Sequence, residues 1–217
     1  MSLLVHAALV AALLLTGCKG LATTGQPEWP IRRMVETTVK VRGSPEHHGS
    51  GVIVGARLVL TAAHTVHDSS ASVVFANGRE ISSAVLWRGE GEYDLALLLL
   101  AEPAPHAPAT LGCRDPSVGE ELVGAGFPMR GGWTGAWGRA ASPAPYGSDR
   151  VHRIVAMPVV PGMSGGPVFD RRGRVVGLMV ALMAMPLPGV MGQPVPSATG
   201  LGFIVPGETI CLGLART

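Results

Sequence analysis

The chain has 217 residues, 47 % hydrophobic and 15 % charged, which excludes a disordered polymer and allows one buried core of ordinary domain size. Its 30 glycines and 18 prolines favour many turns and short strands over long helices. A formal net charge of +2 with no basic run leaves no footprint for nucleic acid.

The first segment in chain order stands apart. Residues 3–15 are almost all Leu, Val or Ala, and residues 1–17 hold no Asp, Glu, Lys or Arg. This 13-residue stretch is short for a membrane span and suits the apolar core of a signal peptide. Leu15-Thr16-Gly17-Cys18 follows and resembles a bacterial lipobox. The resemblance implies cleavage before Cys18 and a lipid on its thiol, hence a membrane anchor. No Lys or Arg precedes the apolar run, only the amino terminus and His6, which departs from the usual signal. The alternative is a plain secretory signal with an incidental Cys. Either reading exports the chain to the cell envelope, on the periplasmic or extracellular side. Residues 1–17 are then a signal peptide, 18–30 a small, polar, Pro-containing tether, and 31–217 the folded domain. With Cys18 acylated, Cys113 and Cys211 remain, either as a pair or as two buried free thiols.

From Met34 onward, short apolar runs alternate with turn signals. The expected strands are Val35–Val41, Gly51–Val54, Leu58–Leu60, Ala71–Phe75, Ile81–Trp87, Leu95–Leu100, Glu121–Ala125, Val151–Ala156, Pro167–Phe169, Val175–Ala181 and Leu201–Val205. Asn77-Gly78, Arg88-Gly89, Pro103–Pro108 and Arg171-Arg172-Gly173 break them, the last as a hairpin turn. Helix is expected only as a turn at Ala62–Val66 and a short piece at Glu208–Leu214. Many short strands at near-regular spacing point to a β-sandwich or barrel. The chain ends soon after the last strand, so no accessory domain is expected behind it.

Three segments carry chemistry. Gly49-Ser50-Gly51-Val52-Ile53-Val54 and Leu58-Val59-Leu60-Thr61-Ala62-Ala63-His64 deliver a histidine from two apolar strands onto a turn of small residues. Tyr93-Asp94 stands directly ahead of an apolar strand, so its carboxylate is expected to be largely buried and to need a partner. Pro161-Gly162-Met163-Ser164-Gly165-Gly166-Pro167 sets a serine among glycines that permit tight turns and exposed N–H groups. A serine hydroxyl is a weak nucleophile until a base takes its proton. His64 is the candidate base for Ser164, Asp94 the group that orients it, and the N–H groups of Gly162 and Ser164 the candidate oxyanion donors. His64 and His67 lack a third ligand at metal spacing, so no metal is expected. His47 and His48 lie in a Gly/Ser/Pro loop and are read as solvated.

The three motifs resemble the trypsin-like serine protease family, more closely its bacterial HtrA (Deg-type) branch. The matching pieces are GSGVIV, LVLTAAH, YDLALL, PGMSGGPVFDRRGRVVGL and GLGFIVP, across roughly residues 34–206. The order His, Asp, Ser is that of chymotrypsin. The resemblance implies an all-β fold of two packed six-stranded antiparallel β-barrels, about 31–125 and 126–207, with a short C-terminal helix. It also implies a serine endopeptidase with protein or peptide substrates and no cofactor. The residue six before the nucleophile, Pro158, would lie at the base of the specificity pocket, with Val180, Ala181 and Leu182 along the substrate backbone. None is acidic, so cleavage after small or medium apolar residues is expected. Met163, just before the nucleophile, departs from the Asp or Asn usual there and leaves the ordering of the oxyanion loop open. The Pro-rich segment 183–199 is expected to be a loop, either a plain surface loop or one that gates the pocket or touches a membrane or partner. The HtrA branch often carries PDZ domains, for which this chain has no room. The alternative to a protease is a catalytically weak relative that binds peptides by strand addition.

Overall fold

In the computed structural model, which describes residues 28–44, 47–89, 93–129, 131–142, 151–188 and 194–216, a short helix α1 (Ile31–Thr37) leads straight into the first strand. The proposed signal peptide, Cys18 and most of the tether lie outside the described residues. Strands β1 (Thr38–Arg42), β2 (His48–Gly55), β3 (Leu58–Thr61), β4 (Ser70–Val74), β5 (Glu80–Arg88) and β6 (Ala96–Leu100) close in the order β1-β2-β3-β6-β5-β4. Side chains alternate across each strand, so every second residue fills the barrel: Val39, Val41, Ile53, Val59, Val73, Leu98 and Leu100. The continuous leucine run of β6 follows from burial on both faces. Leu98 and Leu100 point into the barrel, while Leu95 and Leu97 join the cluster between the barrels.

The second sheet holds β7 (Thr110–Leu111), β8 (Glu121–Gly126), β9 (Thr134–Ala140), β10 (Arg153–Ala156), β11 (Pro167–Phe169), β12 (Arg174–Pro188) and β13 (Pro194–Pro206). Their order is β11-β8-β9-β10-β13-β12-β7, and β11 pairs with β12. Six antiparallel strands thus close, and β7 lies parallel against β12 outside the ring. Leu122, Val155, Met157, Val168, Met179 and Ile204 fill the interior. Helix α2 (Gly207–Leu214) packs Ile210 between the barrels, against the cluster of Leu60, Leu95, Val123 and Phe169. A disulfide joins Cys211 in this helix to Cys113 ahead of β8, 98 residues away, which resolves the pairing left open by the sequence.

The expected all-β class, two barrels and C-terminal helix are all present. Four local expectations differ. Val35–Val41 is strand only from Thr38, because Ile31–Thr37 winds into a helix whose last turn is tied by the Thr37 and Thr38 hydroxyls to the Arg33 and Met34 carbonyls. Strand β9, sequence TGAWGRA, carries no β-branched alternation beyond Thr134 and was not expected. The two-residue β7 is too short to show a periodicity. Segment 183–199 is largely a long arm of paired strand, β12 against β13, rather than loop. The turn at Arg171-Arg172-Gly173 is present, held by buried Asp170, which accepts the amides of Arg172 (3.0 Å) and Arg174 (2.9 Å). Its second oxygen meets Arg174 at 2.7 Å and Arg114 at 3.1 Å.

Candidate active site

Strand register brings the first two candidate residues together. β3 pairs with β6 so that Thr61 faces Ala96, which places His64, three residues on, beside Asp94, two residues back. A single 3-10 turn, Ala63–Thr65, presents the ring. Asp94 Oδ2 accepts from His64 Nδ1 at 2.6 Å, and Oδ1 accepts from the His64 amide at 3.0 Å. This two-point contact fixes both ring orientation and tautomer, and leaves Nε2 with its lone pair outward. Burial alone would raise the Asp94 carboxyl; hydrogen bonds from the His64 ring, then the His64 and Ala63 amides, outweigh it and hold the carboxyl below its ordinary value.

The Ser164 loop is two consecutive turns. Met163 N–H donates to Val160 O at 3.1 Å around Pro161-Gly162, and Gly166 N–H to Met163 O at 2.9 Å around Ser164-Gly165. Gly162 has φ +94° and Gly165 φ +82°, as the third residue of a type II turn requires. A Cβ at Gly162 would lie 2.5 Å from Phe127 O, and one at Gly165 2.2 Å from Ser50 O, so neither position tolerates a side chain. Met163, the residue that departs from the family, is 1 % exposed in the interior of the second barrel, where it anchors the double turn. Among the described residues, the amides of Gly162 and Ser164 have no hydrogen-bond acceptor.

A string of hydroxyls runs from the His64 turn to this loop. Thr65 Oγ1 meets Thr61 Oγ1 at 2.9 Å, and Thr61 Oγ1 donates to Ser50 O at 2.7 Å. Ser50 N–H donates to Ser164 O at 2.7 Å. The Ser50 hydroxyl donates to Gly162 O at 2.7 Å and accepts from Phe127 N–H at 2.9 Å. The Ser164 hydroxyl itself turns to Val180 O at 3.5 Å and makes no hydrogen bond to His64. The structure therefore joins His64 to Asp94 and ties the Ser164 loop to the turn that carries His64, with the hydroxyl rotated aside.

Of the specificity candidates, Val180 is buried, Leu182 half-buried, and Ala181 and Pro158 exposed. Val159, next to Pro158, lies against Gly202, the register partner of Leu182, so Pro158 and the Val180–Leu182 stretch converge. β11 accompanies β12 only as far as Leu178, so from Val180 onward this edge of β12 has no partner strand among the described residues. His48 differs from expectation: it is half-buried, its Nε2 bonds Phe127 O at 3.0 Å, and burial, opposed by that bond, lowers its pKa. The role of Ser50 was not expected either; its only sequence signal is a hydroxyl between two glycines ahead of an apolar strand. Among the described residues, no three His, Cys, Asp or Glu side chains gather as a metal site, and no helix is long and apolar enough to cross a membrane.

Residues 49–178 match the trypsin-like peptidase domain family. HhoA of Synechocystis sp., named a serine protease, is 32 % identical over 170 residues, covering 73 % of this chain and 40 % of that protein. A DegP-like protein of Brucella suis, named a periplasmic serine endoprotease, is 30 % identical over 175 residues, covering 76 % of this chain and 32 % of its own length. The chain thus spans less than half the length of these relatives. Among solved structures, the active form of the Rv3671c protease from Mycobacterium tuberculosis superimposes with a TM-score of 0.71 at 22 % identity, over 86 % of this chain and 82 % of that one. The serine endoprotease of Yersinia pestis superimposes at 0.69 and 21 % identity, over 86 % of this chain and 64 % of that one. These two likenesses speak for the fold alone. With a family match that covers more than half of its residues, the chain belongs to the trypsin-like peptidase domain family and is related to the DegP-type serine proteases.

Proposed function

We propose that the chain is a serine endopeptidase working through His64, Asp94 and Ser164. The observation that carries this reading is the two-point hold of Asp94 on His64, beside a serine turn whose Gly162 and Ser164 N–H groups have no acceptor among the described residues. Rotation about χ1 takes the Ser164 hydroxyl from Val180 O towards His64 Nε2, a change between staggered rotamers. His64 then takes the hydroxyl proton as Ser164 Oγ attacks the scissile carbonyl carbon. The negative oxygen that forms is met by the N–H groups of Gly162 and Ser164, each worth on the order of 3 kcal/mol of barrier. Collapse breaks the C–N bond, and the leaving amine takes the proton from His64. Water, deprotonated by His64, then hydrolyses the acyl-enzyme. A substrate strand adds along the unpartnered edge at Val180–Leu182, which sets its backbone beside Ser164. With Pro158 at the pocket base and no acidic group there, cleavage follows small or medium apolar residues. The same reading carries the chain out of the cytoplasm and tethers it by lipid on Cys18; mass spectrometry of the mature N-terminus checks that anchor.

A fluorophosphonate probe tests the enzymatic core. It is expected to label the wild type and to spare Ser164→Ala and His64→Ala. A folded wild type that stays unlabelled supports the second reading, a peptide-binding relative without turnover, which the orientation of Ser164 towards Val180 O favours. Among peptide substrates, those with Val or Ala before the scissile bond should be cleaved in preference to Arg; the reverse order would overturn the pocket assignment.

A further inference from the structure

Resting on the protease reading above, we propose that Ser50 is a positioning residue, whose hydroxyl fixes the oxyanion turn by bridging two segments of the second barrel. The two candidate oxyanion N–H groups belong to the Pro161–Gly162 and Met163–Ser164 peptides; the latter is held by its carbonyl, which accepts from Gly166 N–H at 2.9 Å, and the Gly162–Met163 peptide lies between them. The Pro161–Gly162 peptide is caught by its carbonyl, which accepts from Met129 N–H at 2.8 Å. In a trans peptide the N–H points opposite to the C=O, so this catch aims the Gly162 N–H away from the Phe127–Met129 segment. The next peptide, Gly162–Met163, is caught on both sides, its N–H by Val160 O and its carbonyl by the Ser50 hydroxyl.

The catching segment is itself dependent on Ser50. Met129 sits at φ +45° without being glycine, and its side chain is 63 % exposed, so core packing does not hold it there. What holds the segment is Phe127: its N–H donates to the Ser50 hydroxyl and its carbonyl accepts from His48 Nε2. One buried hydroxyl thus spends its proton on the turn and its lone pair on the segment that aims the turn. Ser50 comes from the first barrel, paired with Lys40 in β1, and also carries the Ser164 carbonyl and the Thr61 hydroxyl. It transmits the position of the His64 turn to the amides opposite. Met163 offers no charge with which to order this turn, and Ser50 supplies the order by neutral hydrogen bonds.

Ser50→Ala keeps the fold and releases two part-buried backbone groups, Gly162 O and Phe127 N–H. The expected result is a fall in kcat of roughly ten- to hundredfold with KM within about twofold, because the lost interaction acts only when the oxyanion forms. Affinity for a peptidyl trifluoromethyl ketone, whose adduct with Ser164 bears that oxyanion, should fall by the same factor. Affinity for the matching peptidyl alcohol, which lacks the carbonyl, should hold. If kcat and ketone affinity are unchanged, or if KM and alcohol affinity worsen in step with kcat, Ser50 does not act on the turn and the proposal is overturned. Should Ser50→Ala fail to fold, Ser50→Cys, close in size with a weaker donor, carries the same comparison; failure of both to fold also overturns it. A wild type that the fluorophosphonate does not label sinks the protease reading instead, separately from any difference among Ser50 variants.

Discussion

Asp94 shows how one carboxylate can be committed to one state. Two amides and an imidazole N–H oppose its burial, and its proton is lost below the ordinary value of 3.8. A group depressed in this way keeps its stabilising charge above that value and surrenders it as acid carries the pH through the lower one. Protonation of Asp94 should therefore set no limb in the kcat/KM profile above about pH 4. Asp94→Asn should lower kcat by about 10⁴-fold, since the amide favours the wrong tautomer of His64. Met163→Ala, which empties a 1 %-exposed site in the second barrel, should cost about 2–5 kcal/mol by denaturant titration. The three candidate catalytic residues were legible because each sits in a motif whose neighbours are as constrained as the residue itself. Ser50 was not, since its hydroxyl acts on residues 77 and 112 positions away, and no local pattern records that.

At the scale of elements, the β11–β12 hairpin turns on Asp170, 2 % exposed and fully engaged. Burial pushes its carboxyl up, but the Arg174 amide, then the Arg174 and Arg114 guanidiniums, bring it below the ordinary value. Asp170→Asn should lower stability by about 3 kcal/mol at neutral pH, because it removes a buried carboxylate that pairs with the part-buried guanidiniums of Arg174 and Arg114. The sign of the linkage predicts that this deficit, read as a difference in Tm from wild type, shrinks as the pH falls below 3.8. Strands with clean alternation or a continuous apolar run, such as β5 and β6, were readable one by one. β9 was not, because Thr134 and Trp137 are its only β-forming side chains and the Gly and Ala between them show no alternation. The hidden start of β1 has a different cause: Val35 reads as strand, and only the threonine back-bonds to the preceding carbonyls reveal the helix.

Across the whole molecule, the disulfide closes a span of 98 residues that runs through the second barrel and pins α2 over the seam between barrels. Replacing Cys113 and Cys211 by serine should cost about 4 kcal/mol of stability, checked by thermal melting with and without reductant on the wild type. Strand spacing announced a sandwich or barrel, and the family resemblance of the three motifs implied two barrels; the reach of β12 and β13 was not legible, since proline ordinarily ends a strand. Those same prolines shape how the molecule meets its neighbours. Pro186 faces Pro196 and Pro188 faces Pro194, so the paired prolines must stand at rungs whose nitrogens look outward. Both outer margins of the arm are thereby stripped of donors at alternate positions, and a second chain finds no continuous row to zip onto. Pairing of this arm with a strand of another molecule is thus disfavoured, and the proposed substrate strand is left the proline-free stretch Val180–Leu182.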